Sequence, residues 1–217
     1  MTGLVRKATL LTAAGLLVLA SAALANVPSA ANSTVPAGIA VVGSLTSVAD
    51  PVGQFQVTVK DVAGNPMNGA SVVVDFSGCA DIKICSETEQ STSNPGMLVN
   101  CAAKTARLFT NGSGVVNFDI LGGSRPGLGT SHANAGRIFA NGVLIGSPSV
   151  AAYNLDGAGP INATDLGLFL TDFAGDNTLA RSNFKFSGVI NATDLGKILT
   201  VFALGKSATS CTTSCGP

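Results

Sequence analysis

The chain has no tryptophan, a single tyrosine (Tyr153) and a single histidine (His132), and only 11% of its 217 residues are charged. Each shortage removes a class of function. Without tryptophan there is little material for the flat aromatic platforms on which sugars or bases stack. One histidine cannot build a multi-histidine metal centre, and any triad would turn on His132, with no elbow motif beside any serine. Twelve basic residues balance twelve acidic ones, which leaves no electrostatic footprint for nucleic acid or an anionic membrane. Asp75, Asp81, Glu87, Glu89 and Asp119 are candidate carboxylates, but spacing singles out no catalytic pair, and they read as turn, edge and solvent positions. A non-catalytic protein is expected.

The front of the chain carries Arg6 and Lys7, an apolar run from Ala8 through Ala20, and Ala23-Leu24-Ala25 before Asn26. This is the tripartite layout of a secretory signal peptide, so residues 1–25 are expected to be removed on export to the cell surface or beyond. Removal takes two of the twelve basic residues and none of the acidic ones, leaving 10 − 12, a charge of about −2. No later run is long and apolar enough to span a bilayer. Five cysteines, Cys79, Cys85, Cys101, Cys211 and Cys215, suit an oxidising compartment. Cys79 is expected to pair with Cys85 or Cys101, and Cys211 either with Cys215 or as a cross-link from the tail to the body, with one thiol left over. Three cysteines with His132 match no common zinc spacing.

Composition divides the remainder into a linker (26–44), a β-rich body (45–152), a repeat region (153–205) and a cysteine-containing tail (206–217). In the body, Gln54–Lys60 alternates, Asp61–Gly69 is rich in glycine, asparagine and proline, and Ser71–Phe76 is β-branched, a pattern of strands and tight connections. Two hairpins are expected, one joining Ala106–Thr110 to Val115–Leu121 through Asn111-Gly112-Ser113-Gly114, the other spanning Arg137–Ile145 around Asn141-Gly142. Short strands at this spacing indicate a two-sheet antiparallel sandwich. Its interior is expected to hold Phe55, Val57, Val59, Val72, Val74, Phe76, Leu108, Val116, Phe118, Ile120 and Ile138.

The string INATDLG stands twice, at Ile161–Gly167 and Ile190–Gly196, twenty-nine residues apart. Each copy fills the back of a twelve-residue window with the spacing of a calcium loop, which needs oxygens at positions 1, 3 and 5, glycine at 6, a carbonyl at 7, a polar group at 9 and a carboxylate at 12. The first window supplies Asn154, Asp156, Gly159, Pro160, Asn162 and Asp165, with Ala158 at position 5. The second supplies Asn183, Ser187, Gly188, Val189, Asn191 and Asp194, with Lys185 at position 3 and no net charge. Weak calcium binding is therefore expected in the first loop alone, with the Lys185 ammonium serving as the cation of the second. Leu166, Phe169, Leu170 and Phe173, then Leu195, Ile198, Leu199 and Phe202, follow each loop at helical spacing, and these eight are expected to form a core between two short helices.

Asparagine at loop position 9, aspartate at 12 and leucine at 13, in both copies, resemble the type I dockerin family over about Tyr153 to Gly205. The resemblance implies calcium, docking onto a cohesin domain, and partner contacts at positions 10 and 11, here Ala163, Thr164, Ala192 and Thr193. Asn154 and Asn183 replace the family's aspartate at position 1, Lys185 its asparagine at 3, and Ala158 and Ser187 its aspartate at 5. The stretches Val57–Asp61, Gly64–Val72 and Thr110–Phe118 resemble a bacterial immunoglobulin-like domain of the invasin or intimin type. The expected fold is thus multidomain, an all-β immunoglobulin-like sandwich followed by a small all-α dockerin-like domain. The expected role is extracellular attachment or display; the alternative is an accessory of polysaccharide degradation, binding the polysaccharide or tethered to glycoside hydrolases.

Overall fold

The computed structural model describes residues 26–45, 48–129, 131, 133–203, 211 and 214–215; the expected signal peptide at 1–25 and His132 lie outside them. In chain order come β1 (Gly38–Val41), β2 (Ser44–Leu45), β3 (Val48–Ala49), β4 (Phe55–Thr58), β5 (Ser71–Asp75) and β6 (Ile82–Cys85). Helix α1 (Glu87–Ser93) precedes β7 (Leu98–Asn100), β8 (Thr105–Phe109), β9 (Val115–Phe118), β10 (Gly122–Ser124), β11 (Arg137–Ala140), β12 (Val143–Gly146) and β13 (Ser149–Ala152). Helices α2 (Ala163–Gly175) and α3 (Ala192–Ala203) follow, then β14 (Ser214–Cys215).

The strands form several small sheets in place of the expected pair. The largest has the order β12-β11-β5-β8-β7, β4 pairs with β9, β10 and β14 flank β6, and β1 runs parallel to β13. Alternation decides which side chains go inward: Val72 and Val74 of β5 are wholly buried, as are Val57 and Phe118 on the facing pair. All eleven expected interior residues join this core, Leu108 only partly covered. Asn141 and Gly142, at φ 45° and 82°, make the type I′ turn that joins β11 to β12 as expected. The other expected hairpin does not form. β8 pairs with β5 and β7 while β9 pairs with β4, so Asn111–Gly114 carries the chain between sheets. Its turn is held by the Asn111 side chain, which accepts the N–H groups of Ser113 and Val115. Residues 26–44, expected as a linker, run along the body through β1 and through bridges of Pro28 to Asp61 and Thr34 to Thr58.

The expected separate all-α domain is not seen. Helices α2 and α3, of 13 and 12 residues, are too short to be stable alone, and their stripes do not close on each other as a separate core. They lie instead on the β-structure. Phe169, Phe184, Ile190, Ile198 and Val201 share a single buried cluster with Ala40, Val42, Leu121, Ala151 and Tyr153. Tyr153 stacks on Phe184 with centroids 4.5 Å apart, and Phe184 in turn lies 6.0 Å from Phe169. Of the eight residues expected to form the helical core, Leu170, Phe173, Leu199 and Phe202 stay 40–45% exposed.

Two disulfides return the tail to the body, Cys85–Cys211 and Cys101–Cys215, with Cα separations of 5.1 and 4.5 Å. The tail-to-body alternative is therefore the one that forms. Cys79, expected in a bridge, is a free and buried thiol, which burial pushes up to about 11 and so leaves unreactive as a nucleophile.

Candidate functional site

The two repeat loops share their helix caps and their cross-loop asparagine bond. In each, the asparagine at position 9 caps the following helix: Thr164 N–H donates to Asn162 Oδ1 at 2.7 Å, and Thr193 N–H to Asn191 Oδ1 at 2.8 Å. The aspartate at position 12 reaches back, accepting the N–H of Asn162 on Asp165 Oδ2 at 2.8 Å and that of Asn191 on Asp194 Oδ2 at 3.0 Å. These are reciprocal capping boxes, which satisfy donors that a helix start leaves open. The second aspartate oxygen faces the loop. Asp165 Oδ1 accepts from Leu155 N at 2.7 Å and Asp156 N at 3.1 Å, and Asp194 Oδ1 accepts from Lys185 N at 2.8 Å. Both carboxylates are fully buried, and burial moves the Asp165 carboxyl above the usual range despite the three N–H groups around it.

The asparagine at position 1 spans the loop. Asn154 Nδ2 donates to Gly159 O at 2.8 Å and Asn183 Nδ2 to Gly188 O at 2.9 Å, with both glycines at φ 62°. Positive φ at that place is why glycine stands at position 6. The Oδ1 atoms of Asn154 and Asn183 are buried without a hydrogen-bond partner. The position 7 carbonyls also have donors: Asn162 Nδ2 meets Pro160 O at 2.9 Å and Asn191 Nδ2 meets Val189 O at 3.2 Å. Asp156 Oδ1 accepts from Ala158 N at 2.8 Å, while Ser187 is exposed.

Lys185, whose ammonium is expected as the cation of the second loop, meets Asp194 through its backbone N–H instead. Two other lysines approach the loops. Lys83 of β6 donates from Nζ to Gly157 O, at position 4 of the first loop, and Lys197 of α3 donates to Phe184 O, at position 2 of the second, at 2.6 Å. Lys83 stands 74 residues before its acceptor, so no local pattern points to it. Burial, then the nearby Arg125, draws its ammonium below the usual lysine value.

Between the loops lies a buried ion pair that no repeat position marks. Arg181 Nε and Nη2 grip the Asp172 carboxylate at 2.8 and 2.6 Å, and Ser182 Oγ donates to it as well at 2.5 Å. The Asp172 carboxylate, supported by Ser182, is the first cause holding Arg181 above its usual value.

Of the implied partner positions, Ala163, Thr164, Ala192 and Thr193 are all exposed. Thr193 lines a groove of about 430 Å³ with Val52, Tyr153, Gly196, Lys197 and Thr200. Three of the five carboxylates considered for catalysis have partners of their own, with Asp75 paired to Arg137 at 2.7 Å, Ser131 donating to Asp81, and Glu87 accepting the N–H of Val99, while Asp119 Oδ1 is buried without one. Cys85, Glu89 and Cys211 come together, but both sulfurs are spent in their mutual bond.

The chain matches no family model, no curated protein and no solved structure.

Proposed function

We propose that this is an exported, non-catalytic attachment protein whose β-rich body presents the repeated loop-helix surface to a partner protein outside the cell. One observation carries the reading. Leu170 and Phe173 of α2, and their counterparts twenty-nine residues on, Leu199 and Phe202 of α3, stay 40–45% exposed, while Phe169 and Ile198 beside them are buried. An amphipathic helix that sheds half its stripe on the body and leaves the rest in water has a face for something else. Its repetition in both copies argues against a packing accident. Exposed Ala163, Thr164, Ala192 and Thr193 stand at the starts of the same helices and extend the surface with small polar groups. Two disulfides suit an oxidising exterior, and among the described residues no helix is long and apolar enough to cross a membrane. For the polysaccharide alternative the one tyrosine offers no platform, since Tyr153 is buried against Phe184.

Binding to a panel of immobilised cohesin domains tests the proposal, comparing the native chain with a Thr164→Glu, Thr193→Glu double variant and a Phe173→Glu, Phe202→Glu double variant. Saturable binding lowered at least about tenfold by the variants, roughly 1.4 kcal/mol, is the expected result. Binding unchanged by all four substitutions, or binding to glycans in place of protein, contradicts it.

A further inference from the structure

We propose that both repeat loops are held shut by this chain's own donors in the place where their spacing would put a calcium ion. The proposal stands or falls independently of whether the helix faces bind a partner. A calcium loop works because its oxygens point at one another and cannot pack together without a cation between them. In these loops the converging oxygens already face N–H groups. The position 12 carboxylates, which would supply the strongest ligands, are turned onto backbone donors, three on Asp165 and two on Asp194. The position 7 carbonyls face asparagine amides, and the position 9 oxygens cap the helices.

The decisive substitution is asparagine at position 1. An aspartate there would bring only oxygens, whereas Asn154 and Asn183 each bring an NH2 that ties the loop across to the position 6 carbonyl. Positive charge is supplied from within the chain: the Lys83 ammonium lies on Gly157 O with Asp156 nearby, and the Lys197 ammonium lies on Phe184 O. The asparagine and aspartate bonds repeat in both copies, although one loop carries two carboxylates and the other a lysine beside one, and the two ammonium groups reach different carbonyls. Among the buried side-chain oxygens of each loop, one neutral acceptor has no hydrogen bond, Asn154 Oδ1 in the first and Asn183 Oδ1 in the second. That suits a buried water, whereas calcium takes six to eight oxygens, and those at positions 7, 9 and 12 are already turned to N–H donors.

Thermal unfolding of the oxidised full chain, with about 10 mM calcium and with calcium chelated, tests this. Closure by the chain's own donors predicts melting temperatures within about 1 °C of each other. A loop binding calcium with a Kd near 1 mM would raise the value by about 3–6 °C, and such a rise overturns the proposal. Lys83→Met and Lys197→Met, made singly, are each expected to lower the melting temperature by about 3–6 °C, by the same amount in both buffers. A variant that melts like the native chain, or one whose loss calcium restores, also overturns it.

Discussion

Asp119 is an acid that the fold has taken almost wholly out of water. In the sequence it is one of several acids on a strand pattern, whereas in the fold it is 9% exposed with Oδ1 buried and unpartnered. Burial, with Asp50 adding to it, pushes its carboxyl up to about 7. A raised acid binds more protons when folded than when unfolded between about pH 4 and pH 7. Stability therefore falls as pH rises through that window, and the penalty is complete above it. Asp119→Asn should raise the melting temperature by a few degrees near pH 8 and leave it almost unchanged near pH 4; an equal change at both pH values contradicts the assignment. Position 1 of each loop teaches the same lesson in reverse. Asparagine there was legible as a lost charge, but only the structure shows its amide turned into a cross-brace.

At the scale of elements, what was legible followed from local rules. Alternation placed all eleven expected interior residues of the body in its core, and Asn141-Gly142 forecast a turn that needs two positive φ values. Helices α2 and α3 begin at the third residue of the repeated string, because the asparagine before each helix and the aspartate three residues on satisfy backbone donors at its start. Rules of sequence neighbourhood failed where pairing is decided at a distance. Asn111–Gly114 has hairpin chemistry, yet its flanking strands pair in different sheets, β8 with β5 and β7 and β9 with β4. The helical stripes were visible, but not that half of each would be laid on Ala40, Val42, Ala151 and Tyr153. Nor could the repeat announce its own asymmetry: Asp172 of α2 corresponds to Val201 of α3, and it alone receives Arg181. Since Asp172 is buried and balances that guanidinium, Asp172→Ala should destabilise the chain by about 3–5 kcal/mol in denaturant unfolding, because it strands a charge. A loss below about 1 kcal/mol would show that water reaches Arg181.

For the whole molecule, the repeat, the body and the tail are one construction. Aromatic stacking joins Tyr153 to Phe184 and Phe169, Lys83 reaches from β6 into the first loop, and two disulfides bind the tail across separations of 126 and 114 residues. Composition changes near Tyr153, and that change invites a domain boundary. Packing nevertheless crosses it, since Phe169, Phe184, Ile198 and Val201 share one buried cluster with Ala40, Val42, Ala151 and Tyr153. Holding the repeat rigid on the body is also what would let exposed Phe173 and Phe202 meet a partner without first being ordered. Differential scanning calorimetry of the oxidised chain from residue 26 onward tests this unity most directly. A single transition, with calorimetric and van't Hoff enthalpies agreeing within about 10%, is the expected result; two separable transitions, the smaller reproduced by a fragment of residues 153–205 alone, would contradict it.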